Sequence, residues 1–133
     1  MHDAPSSRLQ QVSLLTKAGL VLSIGLFGLL VGWTNITAYA INYQFVQHVL
    51  SMDTLASWAQ VDALTNRAVT DPALHEAAYA AIIAAEFVVG ILCSVGGLLL
   101  LIAVFSHDRA HLGRGKAFAL AGCGIGVAVW YLG

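Results

Sequence analysis

Residues 77–105 read AAYAAIIAAEFVVGILCSVGGLLLLIAVF, with Glu86 the one charge among them. A helix needs roughly 20 predominantly apolar residues to cross about 30 Å of hydrocarbon, and this stretch clears that length. The run is continuous and lacks the in–out alternation of a barrel strand, so it reads as a transmembrane helix. Two further apolar runs flank it, at 18–40 and at 117–133. The last gives only about 17 residues, short for a span. It stops within the apolar stretch Trp130-Tyr131-Leu132-Gly133, which reads as the end of a truncated chain.

Composition agrees with lipid as the solvent. Of 133 residues 59% are hydrophobic and 10% charged, against about 25% charged in a typical globular domain. One domain over 1–133 fits the length. A net charge of -1 with no basic cluster argues against a nucleic-acid partner. Cys93 and Cys123 both lie in apolar runs, where a thiol acts as a small packing residue more readily than as half of a disulfide. Arg8 and Lys17 precede the first run as in a secretory signal. That run continues to Trp33 with no cleavage site leading into a soluble domain, so it is read as a retained span.

The basic residues orient the chain. Arg8 and Lys17 precede the first span, and Arg109, Arg114 and Lys116 fall in the 106–116 loop between the second and third. The 41–76 connection holds Arg67 against Asp53, Asp62, Asp71 and Glu76. The positive-inside rule then places the N-terminus and the 106–116 loop in the cytoplasm and the 41–76 connection outside. That connection is long enough to have structure of its own. Phe45, Val46, Val49 and Leu50 fall on one helical face, opposite Gln44, Gln47, His48 and Ser51, as suits a helix along the membrane surface or one prolonging the first span. Trp58 is an interfacial anchor candidate. Asp71-Pro72 is a helix start, aspartate capping free N–H groups and proline suiting the first position.

Glu86 is the most informative side chain. Counting back from Phe105 at 1.5 Å per residue gives roughly 28 Å, near the outer edge of the hydrocarbon. His75, Tyr79, Glu86, Gly90, Cys93 and Gly97 share roughly one face of this helix. A carboxylate in a membrane helix is by default a functional hypothesis, here a proton or cation position or a cofactor contact. The plainer reading is a polar tie to a neighbouring segment, with Arg67 a possible partner. Tyr79 and Asn35 are further polar interaction candidates. Gly25, Gly28, Gly32 and Asn35 line one face of the first span, Gly90 and Gly97 the second, and Ala119, Gly122 and Gly126 the third. Such stripes let helix backbones approach closely, within the chain or against a partner.

His48 and His75, on different helices, could ligate a haem axially or contact a quinone, against the ordinary role of histidine as a hydrogen-bonding residue. His107 and His111 bracket Asp108 at a spacing metals can use, but their basic neighbours favour lipid headgroups, and no metal site is assigned. No nucleophile elbow, phosphate-binding glycine loop or C-x-x-C pair is present, so an enzyme is not expected.

Residues 42–54, NYQFVQHVLSMDT, resemble the hallmark of a bacterial family of small integral membrane proteins, a domain of unknown function (DUF2165). Arg67-Ala68-Val69-Thr70, Pro72-Ala73-Leu74-His75, Ala78-Tyr79, Ile82-Ile83 and Glu86 resemble its second block. The likeness covers most of the chain from the first span onward. It implies a bacterial inner-membrane location, and a fourth helix reached through a Gly-Gly-Glu-Trp stretch that this chain lacks. It implies no activity.

The expectation is thus an all-α integral membrane bundle of three transmembrane helices, four if the chain is truncated, with a helical outer connection. The function expected is that of an accessory subunit packing against larger membrane proteins, with an energy-transducing or oxidoreductase complex as one setting. The alternatives are a haem- or quinone-binding redox module, or an oligomeric ion or proton-coupled transporter using Glu86. No resident cofactor is assigned; lipid and larger membrane subunits are the partners.

Overall fold

A computed structural model describes residues 4–57, 65–106 and 108–132. The regular structure of these residues is entirely helical. A first membrane helix, Ala4–Thr37, is followed by a connecting helix, Tyr39–Ser51, and a 3-10 turn, Asp53–Ser57. The second membrane helix is Pro72–Ser106, and the third, Arg109–Val127, ends in a π turn at Ala128–Leu132. Three of these helices carry candidate spans, at Arg8–Thr37, Pro72–Ser106 and Arg109–Tyr131. Trp58 and His107 lie outside the described residues.

Each membrane helix is longer than its apolar run, because its ends are set by backbone hydrogen bonding and not by hydropathy. Asp71 starts the second, its Oδ1 accepting from Ala73 N at 2.9 Å. Asp108 starts the third with extended backbone, its Oδ1 accepting from Ala110 N at 2.7 Å. The third helix therefore begins at Arg109, inside the segment that hydropathy alone reads as a loop. Its first turns carry Arg109, Arg114 and Lys116, whose long stems can run along apolar surface while the charges stay wet.

The first membrane helix and the connecting helix are separated by a single residue, Ala38, at φ -107 and ψ 36. The break is mild: Ala38 N still donates to Thr34 O at 2.9 Å and Asn42 N to Ala38 O at 3.1 Å. The Asn42 side chain also reaches back to Thr34 O at 3.4 Å, a local polar insertion of the kind that kinks helices. Met52 then stops the connecting helix in the left-handed conformation, φ 52 and ψ 21.

The chain divides into two compact units, one of Met1–Gly32 with Ala85–Gly133, the other of Trp33–Ala84. In the first unit Ala18, Leu100 and Ala119 form a small core against which Leu14, Val21, Leu101 and Leu112 pack. Glycines set how closely its helices approach. A Cβ on Gly28 would lie 3.0 Å from Gly90 N, and one on Gly96 would lie 2.6 Å from Ala119 N. Backbone meets backbone at both places. Leu20, Leu26, Ile91, Leu98, Ile102 and Leu120 point outward. So apolar a surface is wrong for water and ordinary in lipid, where packing rather than hydrophobic burial holds helices together.

Candidate functional site

In the Trp33–Ala84 unit Asn35, Tyr39 and Tyr43 gather around Tyr79, which is only 1% exposed. Its hydroxyl donates to the backbone carbonyl of Asn35 at 2.8 Å, with Asn35 Oδ1 at 3.4 Å. The ring meets Tyr39 edge-on at 4.9 Å between centroids and Tyr43 at 5.8 Å, and Tyr39 stacks on Tyr43 at 5.7 Å. Burial, and then the Glu76 carboxylate, push the Tyr43 phenol above its ordinary value. The cluster joins the end of the first membrane helix, the connecting helix and the start of the second.

One turn before Tyr79, His75 is buried at 4% exposure. Its Nε2 stands 2.6 Å from Val69 O. A carbonyl only accepts, so Nε2 carries the proton. Nδ1 is buried and has no hydrogen-bond partner among the described residues. The Val69 N–H in turn donates to Leu50 O at 2.8 Å, tying the segment before the second membrane helix to the connecting helix. His48 is exposed, and its Nδ1 donates to the Asp53 carboxylate at 2.8 Å. That hydrogen bond holds the Asp53 carboxyl below the usual carboxylate range.

Each histidine thus has one nitrogen oriented by an acceptor, as outer partners orient metal-ligating histidines. The nitrogens left over are Nε2 of His48 and the buried Nδ1 of His75. No group of three or more metal-capable side chains occurs among the described residues. At His111, Nδ1 donates to Asp108 Oδ2 at 2.7 Å. The Ala110 N–H and then His111 hold the Asp108 carboxyl below its ordinary value. Arg67 is exposed.

In the other unit Glu86 is buried at 3% exposure. Around it the glycine faces are occupied. A Cβ on Gly25 would fall 2.6 Å from Ser94 N, on Gly32 3.0 Å from the Phe87 ring, on Gly90 2.7 Å from Leu29, and on Gly97 2.5 Å from Leu22. On the third helix, Gly122 abuts Cys93 and Gly126 abuts the Trp130 ring. Cys93 and Cys123 face one another with their sulfurs 4.0 Å apart. Gly96 and Gly115 belong to the same contacts, a Cβ on Gly115 lying 2.9 Å from Leu100 N. The signal for Gly115 is its place four residues before Ala119, hidden when 106–116 is read as a loop. Tyr39 and Tyr43 carry no signal of their partnership beyond their spacing.

The opposite side of the third helix is bare. Gly113, Ala117, Ala121, Gly124 and Ala128 recur every three or four residues and are all exposed. Among the described residues nothing approaches within 4 Å of where a Cβ would stand on Gly113 or Gly124.

Apolar helices of spanning length, packed through glycine and surfaced with leucine and isoleucine, define a small integral membrane protein. The chain belongs to the family described as predicted small integral membrane protein (DUF2165), whose model matches residues 13–133. No curated protein and no solved structure matches it.

Proposed function

We propose that this protein is a non-catalytic accessory subunit, docking through its third membrane helix onto a helix of a larger membrane protein. The observation that carries this reading is the bare small-residue face at Gly113, Ala117, Ala121, Gly124 and Ala128. In lipid there is no hydrophobic drive between helices, and association depends on close backbone approach across such faces. The third helix is also the least apolar of the three candidate spans, and no more of it is buried than of the first. A partner helix would shield it. In this reading the N-terminus is cytoplasmic, supported by the placement of Arg8, Lys17, Arg109, Arg114 and Lys116, and the membrane is the bacterial inner membrane, supported by the family resemblance alone.

Extraction in mild detergent, followed by native gel electrophoresis and mass spectrometry of the band, tests the reading. Larger membrane subunits should co-migrate with the wild-type chain and be lost from Gly124→Leu. Migration of the wild type alone, or only as a homo-oligomer, overturns it. A second reading rests on the burial of Glu86 within a membrane helix, which suits a proton or cation position. Flux that survives Glu86→Gln unchanged in reconstituted vesicles would count against it.

A further inference from the structure

Between the N-terminal turns of the first membrane helix, the last turns of the second and the first turns of the third lies a groove of about 690 Å³. Its size falls in the range of small-molecule sites, roughly 300–1,000 Å³. The floor is apolar: Leu100, Ala103 and Val104 are nearly fully buried, and Leu14 and Leu112 form the walls. The rim is cationic, with Lys17 from the first helix and Arg109 and Lys116 from the third, all exposed. None of these cations makes an ion pair among the described residues. Among the described residues the one carboxylate lining the groove is Asp108, which accepts from Ala110 N and His111.

Among the described residues three cations therefore face a hydrocarbon-lined slot against a single carboxylate, Asp108, which leaves the rim with a net positive charge. The slot lies at the end turns of all three candidate spans, the level at which a bilayer presents its headgroups. A soluble anion would leave the apolar floor empty, and a neutral lipid would leave the rim uncompensated. We infer that the groove binds one anionic phospholipid, its phosphate held by Lys17, Arg109 and Lys116 and an acyl chain laid along Leu14, Leu100 and Val104. Bridging the first and third helices, such a lipid would brace that end of the unit. The inference is independent of the docking face proposed above, which is on the other side of the third helix from Gly115, Ala119 and Gly122.

Native mass spectrometry of the full chain tests this directly, after reconstitution in nanodiscs of phosphatidylglycerol mixed with phosphatidylcholine. The wild type should retain phosphatidylglycerol over phosphatidylcholine by roughly tenfold or more. The combined variant Lys17→Gln, Arg109→Gln, Lys116→Gln should lose that preference. Arg114→Gln, which removes an exposed cation that does not line the groove, should keep it. These substitutions are at exposed positions, and an unchanged thermal unfolding transition in detergent would show that the bundle persists. An equal loss in Arg114→Gln would mean general surface charge and overturn the site. So would a preference untouched by the triple variant, or retention of inorganic phosphate alone to the same degree as the lipid.

Discussion

Gly90 and Gly124 are the same residue, each in a membrane helix of the same compact unit, yet their surroundings are opposite. A Cβ on Gly90 would strike Leu29 at 2.7 Å, including its backbone nitrogen at 2.8 Å, whereas one on Gly124 would meet nothing within 4 Å among the described residues. The first glycine is a requirement of the chain's own packing. The second leaves a strip of helix backbone open. Glycine in a membrane helix thus serves two ends, and only the neighbours distinguish them.

The contrast is broken most forcefully by filling the two sites. Gly90→Leu should drive a side chain into the Leu29 backbone and destabilise the bundle by about 3 kcal/mol, the upper part of the usual overpacking range. Thermal unfolding in detergent reads that loss. Gly124→Leu should leave the melting temperature within the scatter expected of surface changes, about 0.5 kcal/mol. Equal melting of the two variants would erase the distinction between the faces.

A smaller effect comes from the tyrosine cluster. Tyr79→Phe keeps the ring contacts with Tyr39 and Tyr43 but removes the 2.8 Å bond to Asn35 O. The loss should be about 1 kcal/mol, typical of a single hydrogen bond, with the helical content unchanged. The cysteine pair sharpens the comparison without touching stability. Sulfurs 4.0 Å apart must close by about 2 Å to bond, so diamide treatment of intact membranes should leave both thiols blocked when the chain is afterwards unfolded in denaturant and alkylated. Full alkylation after oxidant would mean that the second and third helices do not meet there.

Acid should produce the mildest change. Asp53 and Asp108 both have depressed carboxyl values, from His48 in one case and from Ala110 N and His111 in the other. Their contribution is present above the unfolded carboxyl value and is lost as pH falls through the lower folded value. Both groups are exposed, so acidification should fray the ends of the connecting and third helices before the bundle melts. Hydrogen exchange at Ala110 would report it.

How much of this could be read from the chain alone follows from which force decides each feature. The spans were legible because continuous apolar runs such as 77–105 admit no other solvent than lipid. The cap at Asp71 was also legible, since Asp-Pro is a local signal. The start at Asp108 was not, because hydropathy marks where charge stops and not where hydrogen bonding begins. Gly115, which lies against Leu100, is hidden for the same reason. The glycine stripes were visible as stripes, but whether a face meets its own chain depends on helices far apart in sequence. The same holds for Tyr39 and Tyr43 meeting Tyr79, and for the cationic groove, whose three basic residues come from two helices.

The most direct test sets Gly90→Leu and Gly124→Leu side by side in one mild detergent, measuring for each the melting of the chain and the subunits that co-purify with it. Gly90→Leu should lower the melting temperature sharply, and Gly124→Leu should melt like the wild type while losing its larger companions. A Gly124→Leu chain that keeps the wild-type companions, or a Gly90→Leu chain that melts unchanged, would contradict the division of the glycines into inward and outward faces.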